Sequence, residues 1–319
     1  MSSIAASPPR QPDNAGVDLT PVPLARPGRW ISAAVVAFLV AWFAWIVVTN
    51  PNFQWTVVGK YLFSKDILDG VRLTIELTAS AMVIGVTLGV LAALMRLSDN
   101  KLLSGVATTY IVMFRGTPAL VQLIFWFNLA ALFPKITLGI PFFGPDFLAI
   151  NANAVITPFV AANLGLGLCE GAYMAEIVRA GILSVDPGQR EAGVALGLTR
   201  AQIMRRVILP QAMRVIVPPT GNQIIGMLKL SSLASVISVT ELLSAAGLIY
   251  TRTYETIPLL IVASLWYIAL TTMLTLVQRV IERRVGRSVH DTGTEGGIWP
   301  RRRGPASAAS AASAASAPE

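Results

Sequence analysis

The sequence predicts an all-α, polytopic membrane protein, a helical bundle with about six transmembrane helices. Three observations carry that expectation. Of 319 residues, 54% are hydrophobic and only 13% are charged, where a soluble domain carries about 25% charged residues. The deficit is concentrated in apolar stretches of about 20 residues, the length a helix needs to cross a hydrocarbon core of about 30 Å. The basic residues lie between and after these stretches. The net charge of +8 therefore reads as membrane topology. A nucleic-acid surface would need a basic face interleaved with stacking aromatics, and no nucleic-acid partner is expected.

Residues 1–28 are polar and Pro-rich, with no early apolar core, so a disordered cytoplasmic tail is expected rather than a cleavable signal peptide. An extra N-terminal transmembrane helix, 29–50, holds the first span from about Trp30 to Val48, and Asn50-Pro51-Asn52 ends it. The second span runs from about Val71 to Met95 and closes at Arg96. After a polar joint at 98–101, Leu102–Phe114 has the length and polar edges of an interfacial helix or a helix start. The third span continues from Pro118 to about Phe133, with proline in its first turn. Pro134 to Asn151 reads as a Pro-, Gly- and Phe-rich loop.

The fourth span covers about Val155 to Ile182, and a polar segment, 185–210, follows. The fifth span, about Gln211–Leu228, contains Pro218-Pro219-Thr220-Gly221-Asn222, which are expected to kink or break it. Ser231–Ile249 reads as a re-entrant or short helix, and the sixth span runs from about Ile257 to Val280. Residues 288–319, with their Ala/Ser repeats, are expected to be disordered.

Charge sets the orientation. With both tails and the 185–210 segment cytoplasmic, all but six of the 25 Lys and Arg fall on the inner side. The exceptions are Lys60, Lys65, Arg72, Lys135, Lys229 and Arg252. The reverse orientation opposes the positive-inside bias.

The chemistry-bearing inventory is short. Cys169 is the one cysteine and His290 the one histidine, which excludes an internal disulfide, a cysteine metal cluster and a histidine-based active site. Cys169 lies in an apolar run and reads as a small buried side chain. No Walker-type phosphate loop or catalytic triad pattern is present. No cofactor and no enzymatic activity are expected, and an energised transporter of this kind needs a separate motor.

The 185–210 segment is the most informative. Asp186 fits an N-cap, Pro187 the first helical position and Gln189 the third residue after the cap. Gly197 suits a helix end. Thr199 with Gln202 caps a second helix, which Pro210 limits. Ala192, Gly193 and Ala195 keep the first helix thin enough for a partner surface to approach, and Arg190 and Glu191 add polar contacts at its rim. On these facts alone an ordinary cytoplasmic loop is the favoured reading.

Glu191-Ala192-Gly193, then Gly197, then Val207-Ile208-Leu209-Pro210 resemble the "EAA" loop of binding-protein-dependent ABC importer permeases, which reads Glu-Ala-Ala-x3-Gly-x9-Ile-x-Leu-Pro. The departures are Gly193, where Ala is usual, and Val207, where Ile is usual. Gly in place of Ala loosens a helix by about 1 kcal/mol. Phe114–Gln122, Gly171–Arg179, Leu209–Arg214, Asn222-Gln223, Leu228–Leu233 and Glu241-Leu242-Leu243 are similar to the polar-amino-acid branch. That branch usually has Lys-Asp-Thr-Ser-Leu where this chain has Lys229-Leu230-Ser231-Ser232-Leu233. The likeness covers about Asp69 to Glu282.

The resemblance implies a type I ABC importer permease domain at 68–285 in a bacterial inner membrane. It implies that Gly188, Glu191, Ala192, Gly193, Ala195, Gly197, Leu209 and Pro210 form a coupling helix and its supports, docking on an ABC ATPase. It also implies two ATPase subunits, a second permease subunit, identical or related, and an extracytoplasmic amino-acid-binding protein.

Ionisable residues within apolar runs tend to face a cavity or a partner, because charge at mid-bilayer costs a few kcal/mol. Arg72 with Glu76 and Glu176 with Arg179 have the spacing of local ion pairs. Glu170 lies near mid-depth of its span and is a candidate to attract a substrate ammonium group, or else a structural acid. Asn222, Gln223, Lys229, Ser231 and Ser232, beside the expected break, are candidates to line the pathway, or to act as helix–helix glue. An ion-coupled secondary transporter and a membrane scaffold are the rival functions; the 185–210 segment is what discriminates against the first.

Overall fold

The computed structural model describes residues 27–139 and 146–286. Most of the two tails expected to be disordered therefore lies outside the described residues. The chain divides into two units, 1–53 and 54–319. Within the first, α1 (Pro27–Thr49) is a continuous apolar helix followed by a 3-10 turn at Pro51–Phe53. It stops where expected. Pro51 supplies no amide donor, and the Asn50 side chain accepts from the Asn52 amide at 2.9 Å.

In the second unit a short helix, α2 (Trp55–Tyr61), leads into α3 (Lys65–Arg96), which at 32 residues starts one and a half turns earlier than the apolar run. α4 (Lys101–Gly116), α5 (Ala119–Phe127) and α6 (Leu129–Leu132) follow. The expected third span, 118–133, is not a continuous helix: α4 and α5 meet at 102°, and α5 has nine residues. The cause is local. A residue before proline is pushed out of the α region, and Thr117 is extended at φ −108, ψ 140. Pro118 is the N-cap of α5 rather than part of its first turn. Gln122 stitches the bend, its Nε2 donating to the carbonyls of Phe114 at 2.9 Å and Thr117 at 3.1 Å.

The 134–151 loop contains an antiparallel hairpin, β1 (Lys135–Gly139) with β2 (Asp146–Asn151), paired from Lys135↔Asn151 and irregular at Leu138/Gly139. This small appendage is the one departure from an all-helical bundle among the described residues. After α7 (Ala152–Val155) comes α8 (Pro158–Leu183), capped by Thr157.

α8 is the centre of the bundle, and glycine lets it lie against α3. A Cβ on Gly85 would sit 2.7 Å from Glu170 Cγ, one on Gly167 2.7 Å from Ile84 Cγ2, and one on Gly171 3.0 Å from Leu88 Cβ. Gly89 faces Met174 just as closely. Two Gly-x-x-x-Gly pairs, one on each helix, thus interlock, the small-residue packing by which membrane helices approach without a hydrophobic driving force. Leu77, Ala81 and Leu166, all fully buried, fill the seam.

α9 (Pro187–Ala195) and α10 (Arg200–Ile203) lead through a π-helical turn, Met204–Ile208, into α11 (Leu209–Leu230). Pro210 therefore does not end the second short helix. It sits at the first positions of α11, where the missing donor costs nothing. Of the kink or break expected at Pro218-Pro219, the break does not occur: both prolines lie inside α11. A membrane helix tolerates proline when neighbouring groups support the freed backbone. The carbonyls that the two prolines leave without an intrahelical donor are those of Arg214 and Val215; Gln278, from the last helix, donates to the neighbouring turn, at the Pro218 carbonyl, at 3.3 Å. A 3-10 segment, Ser231–Ile237, continues from α11, and α12 (Leu242–Thr253) is bent by 47° from the helical run that ends at Ile237. α13 (Thr256–Gly286) closes the bundle.

By length and composition three of the described helices can each cross a membrane, and up to five crossings result if each bent pair counts as one. α8 is long enough at 26 residues, about 39 Å. It carries Asn163, Glu170, Glu176 and Arg179, and it is the most enclosed of the long helices.

Candidate functional site: a capped helix outside the bundle

The segment between α8 and α11 folds as its caps dictate. The Asp186 side chain accepts from the Gly188 amide at 2.7 Å, and Pro187 opens α9. At the other end Gly197 takes φ +72, a conformation open to glycine at little cost. The Gly197 amide donates to the Val194 carbonyl at 2.9 Å and the Leu198 amide to Gly193 at 3.1 Å, the paired closure of a Schellman motif. Thr199 and Gln202 form a reciprocal capping box, which fixes the start of α10.

The two short helices pack through one residue. Gly193 is buried, and a Cβ there would meet Ile203 Cγ1 at 2.8 Å. The departure from alanine at this position thus has a steric reason that outweighs the propensity cost. Every other residue of α9 is exposed, including Gly188, Glu191, Ala192 and Ala195. Val194 is 62% and Leu196 79% exposed. These two were not singled out from the sequence, although apolar residues inside a polar joint are the available signal. Leu209 and Pro210 lie at the foot of α11, both exposed. The segment is therefore a knob capped at both ends, whose apolar tip is left exposed among the described residues.

The polar residues within the bundle are not gathered into one site. Glu170 is 5% exposed, and its Oε1 has no hydrogen-bond partner. It lies in the α3–α8 seam against Gly85. Ser231 is buried and donates to the Leu228 carbonyl, while Ser232 donates to Lys229. Asn222 is exposed and accepts from Gln278 at 3.1 Å. Gln223 is half-buried and Lys229 exposed.

The expected ion pairs are present: Arg72 Nε with Glu76 at 2.7 Å, and Arg179 with Glu176 at 2.8 Å. Glu176 also binds Arg96 of α3 at 2.7 Å, so one carboxylate ties the ends of α3 and α8 together. Cys169 is buried, as expected. Glu241, read only as part of a motif, is an architectural centre. Fully buried, it accepts from the amides of Leu243 and Ser244, both at 2.9 Å, and from the Tyr267 hydroxyl at 2.8 Å.

Two cavities mark the bundle. One of about 720 Å³, between the start of α3 and α12, is lined by Asp66, Asp69, Arg72, Glu76 and Arg252 among others. The other, about 450 Å³, is an apolar groove between α3, α8, α11 and α13. None of the six residues expected to line a pathway lines either.

Residues 85–287 match the family described as binding-protein-dependent transport system inner membrane component. The chain is 44% identical over 263 residues to the arginine transport system permease protein ArgU of Corynebacterium glutamicum, covering 82% of this chain and 81% of that protein. It is 40% identical over 221 residues to the L-cystine transport system permease protein TcyB of Bacillus subtilis, covering 69% and 86%. Among solved structures, an amino acid ABC transporter determined with histidines superposes with a TM-score of 0.59 at 38% identity, over 73% of this chain and 98% of that one. The MetNI methionine transporter shares the fold at 20% identity, with a TM-score of 0.55 over 70% of this chain and 99% of that one. Capped loop, glycine-locked bundle and these likenesses agree: the chain belongs to the binding-protein-dependent transport system inner membrane components, as an amino acid ABC importer permease.

Proposed function

We propose that the chain carries polar amino acids into the cytoplasm, driven by separate ATPase subunits that dock on α9. The observation that carries this reading is the exposed apolar tip of a helix fixed at both ends, Leu196 and Val194 above all. A flexible loop would dissipate motion. A helix closed by an Asp186 cap, a Schellman motif and a capping box transmits it. The π-turn and α11 continue directly from α10, so displacement of the knob tilts a spanning helix.

The working assembly is two permease subunits, identical or related, on two ATPases, receiving substrate from an extracytoplasmic binding protein. The positive-inside bias supports cytoplasmic termini and a cytoplasmic 185–210 segment. Relatives named for arginine and L-cystine support a polar amino acid as cargo. For the pathway we assign the lining role to exposed Asn222 and Lys229. Ser231 and Glu170, enclosed by their own protomer's packing, position helices instead.

The test replaces 187–196 by a Gly/Ser linker in the reconstituted assembly with binding protein. Loss of both ATP-driven uptake and ATPase co-purification, with the membrane domain intact, is the expected result. Uptake that continues without nucleotide refutes it and favours an ion-coupled carrier.

A further inference from the structure

No residue of α9 lines the apolar groove of about 450 Å³, and its chemistry excludes the polar cargo. Its walls come from α3, α8, α11 and α13, with Leu94, Val178, Leu209, Val217, Leu274 and Ile281 among them. The polar residues on its lining are satisfied: the Thr220 hydroxyl donates to the Ile216 carbonyl at 2.8 Å, and the Gln278 amide bonds Asn222 and Glu282. A site for an amino acid needs convergent polar groups, and this groove offers none. It is open at the side, with Leu94 and Ile281 nearly half exposed, and it extends along α11 from Leu209 to Ile225, about 24 Å at the helical rise. That exceeds the roughly 15 Å depth of one leaflet.

Three arginines adjoin, along the chain, the residues that line one end of the groove. On α13 the groove-facing stripe runs Leu274, Val277, Ile281, and the next residue at helical spacing is Arg284. On the other wall Met204 and Leu209 line the groove, and Arg205 and Arg206 occupy the π-turn between them. All three arginines are exposed, and none pairs with a carboxylate among the described residues. The nearest acid along α13, Glu282, is engaged by Gln278 at 2.7 Å.

We propose that this groove is a binding site for an anionic phospholipid. One acyl chain lies between α3, α11 and α13, and the phosphate is held by Arg205, Arg206 and Arg284. The occupant wedges against the π-turn that joins the coupling helices to α11. The inference rests on the membrane setting alone, so failure of the coupling experiment leaves it standing, and the reverse also holds.

The test uses the full-length chain in its assembly, in phosphatidylcholine nanodiscs, with a phosphatidylglycerol carrying a photoactivatable acyl chain as probe. Labelling at Val217 and Ile281 is read relative to Val112, exposed on α4 away from the groove. The phosphatidylglycerol probe is expected to label the groove in preference to a phosphatidylcholine probe. Labelling should fall about fivefold for each arginine replaced in Arg205→Gln, Arg206→Gln and Arg284→Gln. Val217→Trp, which fills the groove and leaves the arginines in place, should suppress it, and Arg252→Gln, in the last turn of α12, should not. Equal labelling by both probes, or arginine variants that label like the wild type, overturns the proposal. So does disulfide cross-linking of two copies through cysteines at 217 and 281, which would make the groove a permease–permease interface.

Discussion

Truncating the apolar tip beside α9 separates a docking knob from an ordinary loop. Leu196→Ala removes about three carbons and Val194→Ala about two, at about 0.8 kcal/mol per buried CH2. Only surface now exposed can be newly buried by a partner. Scaling by 79% for Leu196 and 62% for Val194 gives about 1.9 and 1.0 kcal/mol, upper limits on the docking energy removed. The double variant should therefore weaken ATPase binding by roughly 100-fold, with Leu196→Ala alone giving roughly 25-fold. Both side chains are largely exposed among the described residues, so thermal stability of the permease should move by less than about 0.5 kcal/mol. Titration of nanodisc-embedded permease with purified ATPase subunit measures the first quantity, and a melting curve in detergent the second. A double variant that binds within about threefold of wild type refutes the assignment of α9 as the docking element. A large loss of stability would instead show the tip to be packed.

Three further outcomes follow from the packing. Gly89→Leu places a side chain against Met174 and 3.0 Å from the Ala175 backbone nitrogen, and should cost at least 1–3 kcal/mol in thermal unfolding by overpacking; Gly105→Leu, with nothing within 4 Å, should not. Glu241→Ala removes the cap of α12 and orphans the Tyr267 hydroxyl, for a loss of about 2–4 kcal/mol in denaturant unfolding. Adding Tyr267→Phe should recover part of it, and a single variant as stable as wild type would show that the network carries no load. Glu170→Gln keeps the shape of a side chain whose Oε1 makes no bond, so stability and uptake should be retained; uptake lost in a folded protein would return Glu170 to the substrate path.

The membrane class, the order of most spans, the termination of α1 and the caps of the 185–210 segment were legible in the sequence, because each depends on nearest neighbours. Apolar length, a proline before or inside a helix, and Asp or Thr at a first turn act over a few residues. The misreadings share one cause. Pro218-Pro219 reads as a break and Pro210 as a stop if only local backbone chemistry is considered. In the fold both lie within or at the start of α11, with Gln278, sixty residues away in sequence, reaching the Pro218 carbonyl.

Linear spacing also gave no sign that Gly85 and Gly89 meet Glu170 and Met174 of α8, nor that Glu241 unites α12 with α13. Composition and short-range pattern determined that this chain spans a membrane and presents a capped helix beyond it. Only tertiary packing decided which polar residues are enclosed, which apolar ones are left without a partner, and where the groove lies. Those depend on distances between helices far apart in the chain, which no local propensity encodes.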